Sequence, residues 1–372
     1  MSLLPLIVAA AAVLGQADKR LEGELRGLWI VRTALVSPAS VDRVVDEAAA
    51  GGLNAVFVQV RGRGDAFYAS RLVPRSTLLF AQPASFDPLD RLLARARARG
   101  LAVHAWINVL LASHFQPVPS DNVVAVHPEW IMLPRSAEGV VAGDPRALLD
   151  QVRRRSRGNP DSEGFYVSPS APGVGDHLEA VVRELVGGYA IDGLHFDFIR
   201  YPGIDYDYSA AALAGFGRQN GNDPLLGPVA RPEAWSAYRR DTLTNLAARL
   251  ARVARESRPG LLLSAAVVPD RATALHQKFQ NWPEWLQIGL LDAVCPMAYT
   301  PDLRIYREQI ADARRGVARN RGLWAGVGAF RLSLPEVAER IAAARALGAT
   351  GYVLFSHESF AEGALRQLRG AR

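Results

Sequence analysis

The sequence predicts an α/β protein with one domain, a closed (β/α)8 TIM barrel whose long βα loops lie on the C-terminal face. Three observations carry this. Eight short apolar runs alternate with amphipathic helical stretches from residue 24 onward. The runs are apolar on both faces and no hairpin signal joins them, which implies parallel order. Connections from helix into strand are short, whereas several from strand into helix are long. With 49% hydrophobic and 22% charged residues, the 372-residue chain can build one large core, and no linker or repeat divides it. The domain is placed at residues 24–370.

In order, the strand-like runs are Leu28–Thr33, Ala55–Arg61, Ala102–Val109, Gly193–Ile199, Leu261–Val268, Ala293–Tyr299, Leu323–Phe330 and Gly351–Ser356. Helical faces show apolar residues at i, i+3, i+4 and i+7. They are Val41/Val44/Val45/Ala48, Leu89/Leu92/Leu93/Ala96, Leu178/Val181/Val182/Leu185 and Leu334/Val337/Ala338/Ile341. Further helices are expected at Glu233–Ser257, Glu284–Ile288, Tyr306–Arg319 and after Glu362. No dinucleotide fingerprint follows the first strand, which counts against an open Rossmann sheet. The helix-to-strand connections carry glycines, as in Gly51-Gly52-Leu53 and Arg99-Gly100-Leu101. About 60 residues separate Asn108 from the helix at Gly175, and about 30 separate Tyr201 from Pro232. Barrel enzymes build their sites from such loops.

The net charge of +6 and pI near 9.7 would suit a nucleic-acid partner, but the composition does not. Only Lys19 and Lys278 are lysines, and the arginines are scattered among Ala, Leu and Gly without a nucleic-acid-binding motif. No nucleic acid is expected as a partner. The apolar run Leu3–Leu14 is shorter than the about 20 residues that span a bilayer. It ends in Gly15-Gln16-Ala17, a small-x-small pattern that marks residues 1–17 as a signal peptide, although no Lys or Arg precedes the run. A short N-terminal membrane anchor is the alternative. Export to the periplasm or cell envelope, with peripheral association there, is the expectation. Cys295 is the only cysteine, so no intrachain disulfide forms.

Residues of one parity in a strand share a face. His195 and Asp197 therefore point into the barrel, while Leu194, Phe196 and Phe198 pack on the helices. A carboxylate buried at the barrel mouth is costly unless it has a partner or a role. The structural alternative is an ion pair with Arg200 or Arg61 that closes the barrel. Gln59 and Arg61 share an inward parity, and the turn Gly62-Arg63-Gly64 brings Asp65 back over the mouth. His104, Trp106 and Asn108 form an inward column suited to sugar hydroxyls and a pyranose face. Trp130 is a second candidate for stacking, and Tyr299 offers a hydroxyl at the end of the sixth strand. Asp270 and Glu358, at the ends of the fifth and eighth, join Asp65 as candidate second carboxylates. No HxH, HExxH, GxSxG or P-loop spacing occurs, so no metal or cofactor is implied. Carboxylates, amides, arginines and aromatics at one mouth fit glycoside hydrolysis.

Six segments, in this order, resemble a known family. They are Arg26-Gly27-Leu28-Trp29, Gln59-Val60-Arg61 with Gly64-Asp65-Ala66-Phe67-Tyr68-Ala69-Ser70, His104-Ala105-Trp106-Ile107-Asn108 and His127-Pro128-Glu129-Trp130. The most specific is Ile191-Asp192-Gly193-Leu194-His195-Phe196-Asp197-Phe198-Ile199-Arg200-Tyr201-Pro202, and Asp292-Ala293-Val294-Cys295-Pro296-Met297-Ala298-Tyr299 completes the set. Together they resemble the family-10-like glycosyl hydrolase domain, a bacterial group formerly classed as a domain of unknown function. The resemblance covers residues 24–360. It implies an exported TIM-barrel hydrolase, with members acting on cell-wall glycan and some cleaving peptidoglycan strands stripped of their peptides. By this resemblance Asp197 matches the fourth-strand Asp, and Arg61, Asp65, Asn108 and Tyr299 match cleft motifs. Phe198 departs where some members carry a second acid, and Met297 where many carry Gln.

The reading is an exported glycoside hydrolase acting on a polysaccharide, foremost peptidoglycan glycan. Asp197 would be nucleophile or general base, with Asp65, Asp270 or Glu358 as proton donor. The substrate-binding set is Arg61, His104, Trp106, Asn108, His195, Arg200, Tyr201 and Tyr299. The alternative is a carbohydrate-binding barrel of the cell envelope that has lost catalysis.

Overall fold

A computed structural model describes residues 21–139, 144–156, 162–219 and 227–369. The expected signal segment, residues 1–17, lies outside them. Among the described residues ten strands occur in chain order: β1 Leu25–Ile30, β2 Ala55–Arg61, β3 Ala102–Asn108, β4 Leu111–Ser113, β5 Phe165–Tyr166, β6 Gly193–Asp197, β7 Leu262–Val267, β8 Ala293–Ala298, β9 Gly322–Gly328 and β10 Gly351–Phe355. Eight of them close a parallel barrel in the order β1-β10-β9-β8-β7-β6-β3-β2, and β4 and β5 form a small antiparallel pair above it. The fold is the (β/α)8 TIM barrel that the alternation of runs and helices predicts.

Each barrel strand starts within one residue of its apolar run, with one exception. β1 begins at Leu25 rather than Leu28, because Leu25 and Arg26 pair with Gly351 and Tyr352 of β10. The Arg26 N–H also donates to Asn54 Oδ1 at 2.7 Å, which fixes the start of the strand. The helix Pro38–Ala50 opens on a Ser37/Ser40 capping box with proline in its first turn, and it buries Val41, Val44, Val45 and Ala48. Full burial of each valine contributes about 1.5–3 kcal/mol. Asp87 caps Pro88–Ala98 through the N–H groups of Leu89 and Asp90. The helix Val174–Gly188 packs beside Pro232–Ser257, and the helix Leu303–Arg315 beside Leu334–Ala346.

Two cores result. One lies between the sheet and the surrounding helices. The other fills the barrel itself and includes Trp29, Phe57, Trp106, Cys295, Trp324 and Val353. Large side chains fit inside because small ones face them: a Cβ on Gly193 would lie 2.1 Å from His104 Nδ1. Two motif acids serve the opposite end of the barrel. Asp192 accepts the Val103 N–H and Asp292 the Leu263 N–H, each at 2.8 Å.

Candidate active site

The mouth of the barrel opens into a cleft of about 500 Å³. It lies over the C-terminal ends of the strands, and Glu163 of the long segment between β3 and Val174 joins its wall. Asp197 and Glu163 are the carboxylates in its lining, and Arg32, Arg63 and Arg200 are the cations. Trp29, Trp106, Phe198, Tyr299 and Phe355 supply aromatic walls, with Gln59, Asn108 and Met297 between them.

Asp197 is the last residue of β6, paired with Asn108 of β3 and only 6% exposed. Its Oδ1 accepts the N–H of Phe198 at 2.7 Å and of Arg200 Nη1 at 3.2 Å. Burial pushes its pKa up, while Arg200 and the Phe198 N–H oppose that rise and the Trp106 indole adds a smaller downward effect. Phe198 departs from its expected place on the helix side. Its backbone has φ of 50°, which ends the strand, turns its N–H onto Asp197 and swings its ring into the cleft under the Arg200 guanidinium at 4.3 Å.

Arg200 reaches a second acid. Its Nη2 lies 3.7 Å from Glu163 Oε1, so one guanidinium contacts both cleft carboxylates. Burial raises the Glu163 pKa; Arg200 opposes this and Asp197 adds to it. Glu163 is absent from the sequence reading. It lies in a long loop among many surface acids, and its only signal is the apolar Phe165-Tyr166 run that follows it and forms β5.

Beneath the cleft, the inward column is a hydrogen-bonded scaffold. The Trp106 indole N–H donates to Asn108 Oδ1 at 3.1 Å, and Asn108 Nδ2 donates to the Gly62 carbonyl at 2.7 Å. The Trp29 indole N–H donates to His195 Nε2 at 3.3 Å. That nitrogen must therefore be unprotonated, which places the proton on Nδ1, 2.9 Å from Ser264 Oγ. Burial holds His195 neutral, its pKa well below the usual value. His104 lies deeper, stacked on Phe57 at 4.5 Å, and burial lowers its pKa to about 4.

The expected site residues thus divide. Asp197, Trp106, Asn108, Arg200 and Tyr299 line the cleft. Burial pushes the Tyr299 hydroxyl pKa up, so it stays protonated, and its ring stacks on Phe355 at 5.1 Å. His104 and His195 are buried supports below the cleft. Arg61 is turned away from it. The β2–β3 register shifts between Gln59 and Arg61, so Gln59 stays level with inward Trp106 while Arg61 pairs with outward Ile107. Arg61 is buried behind the sheet, where its Nη1 donates to the Asn108 carbonyl. Tyr201 is fully buried, edge-on to Phe279 at 5.4 Å. Trp130 is also outside the cleft, stacked on His127 at 4.0 Å.

None of the three expected second carboxylates lines the cleft. Asp65 lies in an adjoining hollow, its Oδ1 accepting the Arg63 N–H at 2.9 Å. Asp270 caps the helix Arg271–His276 through the Thr273 N–H at 2.7 Å. Glu358 accepts the Thr33 hydroxyl on the exposed rim. Among the described residues, no group of three His, Cys, Asp or Glu side chains is placed to hold a metal.

The family model described as glycosyl hydrolase-like 10 matches residues 24–322. The glycosyl hydrolase DigH of Escherichia coli K12 is 26% identical over 316 residues, covering 74% of this chain and 66% of that protein. The glycosyl hydrolase YngK of Bacillus subtilis is 22% identical over 317 residues, covering 76% and 55%. The chain thus spans less than two thirds of these relatives' length. Among solved structures, the PgaB (BpsB) glycoside hydrolase domain of Bordetella bronchiseptica superposes with a TM-score of 0.68 at 18% identity, covering 94% of this chain and 98% of that one. An α-L-fucosidase of Paenibacillus thiaminolyticus gives 0.63 at 16% identity, covering 94% and 48%. These structures share the barrel.

Proposed function

The chain belongs to the glycosyl hydrolase-like 10 family, and we propose that it hydrolyses O-glycosidic bonds of a polysaccharide, foremost peptidoglycan glycan, with Asp197 and Glu163 as the working pair. The observation that carries this is one guanidinium held between two carboxylates in an aromatic-walled cleft, 3.2 Å from Asp197 and 3.7 Å from Glu163. Glycosidases set their two carboxyl groups about 5–9.5 Å apart, a spacing that acids bound to separate nitrogens of one guanidinium can meet.

The roles follow from environment. Asp197 is fixed by two hydrogen bonds to one oxygen and faces Arg200, which favours its ionised form at the anomeric carbon. Glu163 has a half-exposed side chain, and both burial and the Asp197 charge favour its protonated form, as a donor to the leaving oxygen requires. The aromatic walls would take sugar faces, and Asn108, held by Gly62 and Trp106, would meet a ring substituent. Export to the periplasm or cell envelope belongs to the same proposal, supported by the apolar segment Leu3–Leu14 and its small-residue boundary.

The test is a digest of purified peptidoglycan, with and without stem peptides, by the protein and its Asp197→Asn variant, with products read by mass spectrometry. Soluble saccharides from the wild type alone are expected. Glycan binding without release of saccharides would favour the non-catalytic carbohydrate-binding barrel instead.

A further inference from the structure

Beside the cleft lies a second hollow of about 220 Å³, and the two share Arg32 and Arg63 in their walls. Arg32 is held by Gln59, whose Oε1 accepts from its Nη1 at 2.8 Å. Its stem lies over Gly62, where any Cβ would come within 2.8 Å of Arg32 Cδ. Arg63 is less satisfied. Its Nε and Nη1 are buried without a hydrogen-bond partner, which leaves Nη2 as the nitrogen that can meet the hollows.

Glu163 and Asp65 attract the Arg63 guanidinium, but neither hydrogen-bonds it. Asp65 takes the Arg63 backbone N–H rather than the guanidinium. Glu163 contacts Arg200. Burial lowers the Arg63 pKa to about 10, and the nearest strong influence after burial is the like charge of Arg32. The neighbouring His114 is held neutral, its pKa lowered to about 4 by burial and by these two arginines. Asp65, in the same hollow, offsets part of the repulsion between these two desolvated guanidinium groups, and an anion bonded directly to them would offset more.

Resting on the glycosidase reading, we infer that Arg32 and Arg63 form a subsite for a carboxylate carried by the glycan, next to the bond that Asp197 and Glu163 address. Two sources share this chemistry. One is the lactyl ether carboxylate on alternate sugars of a peptide-free peptidoglycan strand, and the other is the ring carboxylate of a uronic acid.

The test is calorimetric binding to the full chain carrying Asp197→Asn, which holds ligand without turning it over. The probes are a peptidoglycan tetrasaccharide bearing free lactyl carboxylates, its methyl ester, and a hyaluronan tetrasaccharide. The free acid is expected to bind at least about tenfold more tightly than the ester, as charge-assisted Arg–carboxylate bonds require. Adding Arg63→Gln should close that gap while the ester binds as before, and rising salt should narrow it. Equal affinities for acid and ester, together with no binding of the hyaluronan probe, would overturn the subsite even if the wild type digests peptidoglycan. Arg63-dependent binding of hyaluronan alone would keep the subsite and remove the peptidoglycan reading.

Discussion

Replacing Arg200 by methionine removes the cation that touches both cleft acids while keeping an apolar stem over the Phe198 ring. Asp197 is 6% exposed, and its carboxylate would then keep the Phe198 N–H as its chief support. An opposite charge at this range lowers an aspartate pKa by about 1–3 units, so its loss should raise Asp197 by about that much. That corresponds to about 1.4–4 kcal/mol of differential stability. Glu163, half exposed, adds little because solvent screens it. The sign follows from linkage. Asp197 already has its folded pKa above the ordinary 3.8, and the variant raises it further. Below about pH 4 the group is protonated in both folded and unfolded chains, so wild type and variant differ little through it. As pH rises through the wild type's folded Asp197 pKa the wild type ionises the group against Arg200 while the variant does not, so the stability gap opens there and is complete above the variant's higher pKa. Urea unfolding of both proteins at pH 4 and pH 7 measures this. A gap about 1.4 kcal/mol or more wider at pH 7 is expected. An equal gap at both values would refute the assignment of Arg200 as the support of an ionised Asp197.

Three other outcomes are expected. Activity should rise with pH as Asp197 ionises and fall as Glu163 loses its proton, both limbs displaced upward from ordinary carboxylate values; Glu163→Gln should remove the alkaline limb from whatever activity remains. Gly193→Ala should destabilise by about 1–3 kcal/mol in urea unfolding, because its Cβ would strike His104, and His104→Ala should relieve much of that cost in the double variant. Asp270→Ala should cost about 0.5–2 kcal/mol of stability through loss of a helix cap and leave turnover near normal.

The barrel is legible because its signals are local and repeated. Apolar runs with period-two faces and helical stripes such as Leu178/Val181/Val182/Leu185 mark the elements without reference to distant residues. Glycines at the helix ends mark the turns, and Gly52, Gly100, Gly260 and Gly348 all have positive φ. Asp197, Trp106 and Asn108 are legible for the same reason, since parity alone sends them inward. What parity misplaces are the residues beyond an irregularity. The register shift after Gln59 turns Arg61 to the outer face, and the positive φ at Phe198 brings an expected outer ring into the cleft. Glu163 fails to show because it reaches the site from a long loop, so its position depends on tertiary packing and on the β4–β5 pair. Asp270 and Asp65 look functional by their places at strand ends, yet each is engaged with nearby backbone N–H groups.

In the proposed reaction Asp197 acts at the anomeric carbon while Glu163 protonates the leaving oxygen. The most direct measurement compares kcat/KM of Asp197→Asn and Glu163→Gln on the native glycan and on a dinitrophenyl glycoside of the same sugar. The dinitrophenolate departs without a proton. Glu163→Gln is expected to lose about 10²–10⁴-fold on the glycan and little on the dinitrophenyl glycoside, whereas Asp197→Asn loses activity on both. Equal loss on both substrates in Glu163→Gln, or full activity of either variant on the glycan, would contradict the pairing.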